Sequence, residues 1–412
     1  MQRYGNGLHT FFRERGQGLF VLLALLLIVS AGLIFSLAQP TPLNIANDKQ
    51  TTAALAQAKD GLIARAVIDG NRPGSLPCPD TDDDGVAELF SGSNCPSYIG
   101  RLPWKTLGLP DLRDGSGERL WYMLSTRFRD HSAAEPINSD TKGNITVYSG
   151  SSSTVMTAEA VAVIFASGAV LGTQNRDPST SALCPTTSTT IARNLCAANY
   201  LDSTGGVNNA TTSGPFISAQ RSNSFNDRLL VLTTSELIPP VEMRVARELR
   251  TILQNYKAVS ACACYPWADF SDGYSDAPPY QLGGLNRGRV PALGASPENW
   301  GTGAIPPLPP WFLNNNWRWV IYYSAGRNFL QGGGATCTSC VNTTLSVDGV
   351  AGKEIVILTP GPAGASRPLG PPWSSTYWQS YLEDAQNNDD SNDLYVTPSS
   401  TAYTRDRIYT IP

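Results

Sequence analysis

The sequence predicts an α+β protein in which an N-terminal transmembrane helix precedes two tandem, duplicated helix-plus-antiparallel-sheet units. Three observations support this fold class. Residues 18–38 include no charged side chain, and about 20 apolar residues let an α-helix cross the core of a bilayer. Two amphipathic helix patterns each precede several short, strand-like apolar runs. Short motifs also recur in the same order in both halves, which indicates an internal duplication.

The apolar run determines the expected topology. It follows a segment that carries Arg3, Arg13 and Arg15, and positive charge before a membrane helix keeps that end in the cytoplasm. We therefore predict a single-pass protein of the inner, cytoplasmic membrane, with a cytoplasmic leader at 1–16 and a transmembrane helix at 17–39. The remaining chain is expected in the periplasm or on an extracellular filament.

Two other interpretations of the apolar run stay open. It could be a plain single-pass anchor without a cleaved leader. It could also be a secretory signal peptide, because Ser36-Leu37-Ala38 has the small-x-small pattern of a cleavage site. The run is longer than the usual signal core of about 7–15 residues, which argues against the secretory interpretation.

The composition is typical of a loop-rich exported protein. Charged residues make up 16% of the 412 residues, below the usual figure of about 25%. Glycine, proline, serine, threonine and asparagine take their place. The net charge of −4 gives no reason to expect a nucleic acid partner.

All cysteines follow the apolar run, where an oxidising compartment favours disulfides. The eight are Cys78, Cys95, Cys184, Cys196, Cys262, Cys264, Cys337 and Cys340. The first four suggest two local pairs, one between Cys78 and Cys95 and the other between Cys184 and Cys196. The other four could pair across the chain or form a structural zinc site, since four thiolates can bind zinc.

The duplication defines two units, 40–236 with an acidic loop and 237–412. Each unit begins with an amphipathic helix pattern, over 51–66 and 241–256. The residues between 172 and 222 are expected to form a long surface loop. The later motifs match in order: 100–103 with 288–291, 119–125 with 318–324, 145–147 with 345–347, 161–164 with 355–358, and 227–229 with 406–408.

The acidic stretch Asp80-Thr-Asp-Asp-Asp-Gly85 predicts a calcium site. Carboxylates at alternate positions followed by glycine match the first half of an EF-hand-type loop. The expected ligands are Asp80, Asp82, Asp84, the Val86 carbonyl and Glu88. Ser91 stands where an EF-hand would place its bidentate glutamate, so the loop is not a complete EF-hand. The alternative is a solvated acidic turn.

No catalytic residues are predicted, and the protein is not expected to be an enzyme. The two histidines are His9, in the leader, and His131, in a polar stretch. Few histidines are therefore available to form a catalytic triad or a Cys–His pair. A hydrolase with an unrecognised site remains an alternative.

The N-terminus resembles the leader of type IV prepilin-like proteins, because Arg15-Gly16 stands directly before the apolar run. The stretch "ALAQAKDGLIARAVIDGNRPGSLPCPDTDDDG", followed by "GRLPWKTLGL" and "GERLWYMLS", also looks like the exported region of pilin-like, type II secretion-related proteins. The resemblance implies cleavage between Gly16 and Gln17 by a prepilin peptidase. It departs from the family at the fifth mature position, where Val21 replaces the usual glutamate.

The resemblance implies a minor pilin or pseudopilin-like structural subunit of a type IV pilus or type II secretion-like filament. The missing glutamate favours a place at the tip or in assembly initiation. Implied partners are other pilin or pseudopilin subunits, the inner membrane and the prepilin peptidase. The alternative function is a membrane-anchored, calcium-stabilised adhesin or binding module of the cell surface.

Overall fold

The computed structural model describes most of the chain beyond the leader and apolar run. The described residues are 42–269, 285–291, 298–337, 340–363, 367, 381–389, 391–398 and 405–412. They include two long helices, α1 (Pro42–Ile68) and α2 (Thr234–Val259), and two short ones, α3 (Pro310–Asn314) and α4 (Trp317–Val320).

Short strands follow each long helix. In the first half they are β1 (Ile99–Arg101), β2 (Trp121–Leu124), β3 (Ile145–Ser149), β4 (Val155–Ala160), β5 (Ala162–Ala166), β6 (Ser181–Cys184), β7 (Thr189–Ala192), β8 (Ser203–Thr204), β9 (Val207–Asn208), β10 (Phe216–Ser218) and β11 (Arg228–Leu232). In the second half they are β12 (Arg287–Arg289), β13 (Tyr322–Ala325), β14 (Leu345–Val347), β15 (Val350–Lys353), β16 (Ile355–Thr359), β17 (Leu394–Tyr395) and β18 (Arg407–Ile411).

The two halves repeat the same pairing. A four-stranded antiparallel sheet has the order β1-β2-β5-β11 in the first half and β12-β13-β16-β18 in the second. A three-stranded sheet has the order β4-β3-β10 in the first half and β15-β14-β17 in the second. In both of these smaller sheets the last strand runs parallel to its neighbour.

The long helices pack because their apolar positions recur at helical spacing. On α1 the buried stripe consists of Leu55, Ala58, Leu62 and Ala66. On α2 it consists of Val241, Val245, Leu249, Leu253 and Tyr256. A capping box between Thr233 and Glu236 satisfies amide groups at the start of α2. Apart from Tyr256, which packs with Ile305 in a small separate cluster, both stripes belong to one continuous hydrophobic core that also includes the central strands of both four-stranded sheets.

Direct contacts also join the two halves. The amide of Asn138 donates to the Asn315 carbonyl at 2.9 Å, and the backbone amide of Ile137 donates to the Asn315 side chain at 3.1 Å. The Arg244 guanidinium on α2 donates to the Val67 carbonyl at the end of α1, at 2.8 Å. The halves therefore share polar contacts as well as a core.

The predicted fold class is wrong as stated. The described residues form a mixed helix–strand structure with six small sheets, instead of one antiparallel sheet under each helix. The expected loop at 172–222 contains the hairpins β6–β7 and β8–β9. Each three-stranded sheet includes a parallel pair whose strands are far apart in the chain. The local apolar pattern does not encode such pairing.

The expected single-pass topology also needs correction. In the part of the chain that the structure describes, no helix is both long and apolar enough to span a membrane. The long helices α1 and α2 bury one stripe against sheets and leave polar side chains outside. The transmembrane helix predicted at 17–39 and the leader at 1–16 lie outside the described residues. The finding on the described helices corrects the expectation of a transmembrane, single-pass protein in the inner membrane.

Candidate functional site

The acidic loop is closed by a disulfide and paired with the edge strand of the first four-stranded sheet. A disulfide joins Cys78 to Cys95 across it. The Asp80 amide donates to the Arg101 carbonyl at 3.0 Å, and the Arg101 amide donates to the Asp80 carbonyl at 2.6 Å. This antiparallel bridge holds the start of the loop against the outer edge of β1.

The Asp80 carboxylate organises the turn from inside. Its side chain is buried, and it accepts hydrogen bonds from the backbone amides of Asp83 and Gly85, each at 2.7 Å. Burial raises the pKa of Asp80 to about 6, although the hydrogen bonds from these amides act in the opposite direction. Gly85 has a φ of +86°, and a Cβ there would lie 2.5 Å from the Trp104 ring nitrogen. The turn therefore requires glycine at this position.

Three carboxylates of the loop converge. Oxygen atoms of Asp80, Asp82 and Glu88 all lie within 4.8 Å of one another. Glu88 also accepts a hydrogen bond from the Thr81 amide at 3.0 Å, which draws its side chain back over the loop. Carboxylate oxygens are ligands that hard cations such as Ca²⁺ prefer. This group has the chemistry to hold one cation.

Of the other two predicted ligands, Asp84 lies outside this group of three carboxylates, and Val86 would contribute a backbone carbonyl. Asp84 accepts a hydrogen bond from the Val86 amide at 2.6 Å, in a local turn of its own. The Val86 side chain is 45% exposed. The EF-hand spacing therefore identified the loop but overestimated the number of carboxylates that meet.

Two arginines lie beside the loop, and the sequence pattern gave no signal for them. Asp83, at a φ of +67°, forms an ion pair with Arg119 at 3.1 Å and lies 3.7 Å from Arg101. Arg119 also bonds Asp111 at 2.8 Å, and that bond raises the pKa of Arg119. Because Asp83 points toward arginines, it is a structural anchor of the loop, separate from the converging carboxylates.

A cavity of about 240 Å³ lies beside the acidic loop. Its walls come from the loop, the outer edge of β1, Trp121 of β2, and the hairpin β6–β7 with the residues that follow it. Residues from each wall include Thr81, Ile99, Trp121, Thr187 and Ile191. The cavity brings together parts of the chain that are far apart in sequence, so the sequence pattern gave no signal for it.

The cysteines form four disulfides. Cys78 pairs with Cys95, Cys184 with Cys196, Cys262 with Cys264, and Cys337 with Cys340. The last two pairs are local, so the alternatives of cross-pairing and of a zinc site are wrong for these thiols. Four disulfides are characteristic of an oxidising compartment.

The remaining predicted positions are His131 and the processing residues Gly16 and Gln17. His131 accepts a hydrogen bond from the Ala133 amide at 3.0 Å, and its ring packs edge-on against Phe90. The predicted processing residues Gly16 and Gln17 lie outside the described part. Comparison of the chain with protein-family models, curated proteins and solved structures finds no match.

Proposed function

We propose that the protein is a structural subunit of a type IV pilus-like or type II secretion-like filament, acting at the tip or in assembly initiation. The observation that carries the proposal is the repeat. In each half a long helix packs against a four-stranded antiparallel sheet of the same order. The resemblance of the leader to prepilin-like sequences supplies the class of filament, and Val21 supplies the place at the tip.

The contact between the halves suits a scaffold that presents two heads in a fixed relation. Glu242 of α2 is buried and accepts hydrogen bonds from Ser139 in the first half and Thr359 in the second. Asp140 in the first half forms an ion pair with Arg367 in the second, at 3.5 Å. Contacts of this kind stabilise one relative orientation of the halves.

Gold labelling of filaments tests this proposal. An epitope tag inserted in the exposed turn 151–153 leaves the shared core intact, and a second tag at 178–180 provides an independent exposed position. With both tags we expect gold particles at filament ends, in few copies per filament. Label along the whole shaft would contradict the place at the tip. Label absent from filaments that still assemble would contradict a filament subunit altogether.

A second candidate function is a calcium-stabilised binding module. The convergence of Asp80, Asp82 and Glu88 within 4.8 Å, next to a cavity, favours it. A cation there would replace the mutual repulsion of three carboxylates with attraction and would stabilise the wall of the cavity. Calcium-dependent stabilisation together with absence from purified filaments would favour this function over the structural one.

A further inference from the structure

The cavity beside the acidic loop has a strand edge as one wall. β1 is the edge strand of its sheet. The Tyr98 carbonyl and the Leu102 amide bond to the β2 side, at 2.9 and 3.0 Å. Because the direction of the backbone hydrogen-bonding groups alternates along a strand, the amide and carbonyl groups of Ile99 and Arg101 point away from β2. Arg101 is paired there with Asp80.

A side chain caps the outward groups of Ile99. The Ser97 hydroxyl donates to the Ile99 carbonyl at 2.6 Å and accepts from the Ile99 amide at 3.2 Å. The pairing of β1 with the acidic loop thus ends at Arg101, and the cavity lies beside Ile99. A hydroxyl is satisfying two backbone groups that a neighbouring strand would otherwise bond.

The cavity suits an uncharged occupant. Its charged lining residues are already engaged: the Asp80 carboxylate bonds backbone amides. The Arg101 guanidinium lies 4.3 Å from the Trp121 ring and 4.0 Å from the Tyr200 ring, and donates to the Arg119 carbonyl at 2.9 Å. What the walls offer is apolar surface and hydroxyl groups, from Thr81, Ser97, Ile99, Trp121, Thr187 and Ile191.

In the second half a charged residue stands at the register position of Ile99. Gly288 pairs with β13 as Gly100 pairs with β2, so Arg287 occupies the position of Ile99. Arg287 donates to the Asp389 carbonyl at 2.9 Å and bonds Asp393 at 2.6 Å. A separate cavity of about 20 Å³ lies beside Arg287, with walls that include Leu358 of β16 and Tyr395 of β17.

We propose that the first-half cavity binds a short, uncharged, extended peptide of a partner protein, which adds to β1 in line with Asp80. The peptide backbone takes the place of the Ser97 hydroxyl at Ile99, in the manner of strand addition. Its alternate side chains contact the apolar wall. The volume of about 240 Å³ lies below the roughly 300–1,000 Å³ of drug-sized sites, so a short segment fits. This site goes beyond the proposed structural role and does not depend on it.

Nuclear magnetic resonance on the full chain tests the proposal with a defined probe. The probe is the blocked tripeptide acetyl-Val-Thr-Val-amide at millimolar concentration. We expect it to shift the amide signals of Ile99 and Gly100. The same tripeptide methylated on every backbone nitrogen should not shift them, because it cannot donate to the Ile99 carbonyl. Equal shifts with both probes, or with neither, would overturn the proposal.

Variants locate the site. Thr187→Trp fills the mouth and should abolish the shifts, whereas Thr190→Trp, exposed on the same hairpin, should leave them unchanged. Ser97→Ala removes the cap and should lower the dissociation constant for the tripeptide by about tenfold, because the amide and carbonyl of Ile99 then lack a hydrogen-bond partner until the peptide binds. Weaker binding by Ser97→Ala would contradict displacement of the cap. Shifts caused by glucose, with the tripeptide inactive, would make this a sugar site and would equally refute the proposal.

Discussion

Replacing Glu242 with glutamine should change how stability depends on pH. Glu242 is fully buried between the halves and is bonded to Ser139 and Thr359. Burial raises its pKa from 4.5 to about 7, while the charges of Arg367 and Arg407 act against that rise. The folded state therefore holds this proton more tightly than the unfolded state does.

The direction and size of this pH effect follow from the linkage between proton binding and the free energy of unfolding. The stabilisation from protonated Glu242 is complete below the unfolded pKa of 4.5 and is lost as the pH rises through the folded pKa of about 7. At about 1.4 kcal/mol per pH unit, the loss over this window is about 3 kcal/mol. Glutamine keeps an acceptor and a donor for the two hydroxyls but does not titrate. Relative to the parent, Glu242→Gln should gain about 2.5 kcal/mol between pH 5 and pH 8.

The assay is urea unfolding followed by tryptophan fluorescence across this pH range, with the free energy of unfolding extrapolated to water. Glu248→Gln is the matched control, since Glu248 lies on the same helix with an exposed side chain. Asp227 is also buried and has its pKa raised to about 8, mainly by burial, so a residual pH slope should remain in both variants. A constant difference between Glu242→Gln and the parent from pH 5 to pH 8 would refute the reasoning.

Two further predictions concern the acidic loop. Millimolar calcium should stabilise the parent by about 0.5–1.5 kcal/mol, measured as a rise in melting temperature, and Asp82→Asn should remove the rise while Asp177→Asn, in another exposed loop, keeps it. An equal rise in Asp82→Asn would place the cation elsewhere. Gly85→Ala should cost about 1–3 kcal/mol more in urea unfolding than Gly92→Ala, since both glycines have positive φ but only Gly85 faces a ring at 2.5 Å. Equal costs would show that the loop adapts around Trp104.

Periodic patterns were the part of the fold that the sequence could predict. The positions at helical spacing on α2 are all buried, because one face of an amphipathic helix has to pack. The apolar runs at β5 and β16 are buried along their full length as central strands. The apolar pattern does not indicate the relative direction of paired strands, so the parallel pairs β3–β10 and β14–β17 were not predicted. The run 318–324 matches 119–125 in sequence, but its start forms α4, and Tyr322 occupies the register position of Trp121.

In the candidate site, too, the sequence predicted the local feature but not the tertiary contacts. Alternating aspartates marked the loop, because that spacing is a property of the local chain. Which carboxylates meet depends on the tertiary contacts of the loop: Asp83 turns toward Arg119, and Asp80 is fixed by its bridge to Arg101. The cavity has walls from residues near 81, 99 and 187, and their meeting is set by the sheet edge and the hairpin. Sequence spacing carries no information about such a meeting.

The mature N-terminus, measured by mass spectrometry on protein from its native host, tests the filament proposal most directly. Cleavage after Gly16 distinguishes a prepilin-like subunit from other exported proteins, and Gly16→Val is the matched variant. We predict a parent chain that begins at Gln17 and a Gly16→Val chain that retains its leader. A parent that begins at Met1 or at Gln39, or a Gly16→Val chain cut as before, would contradict the account.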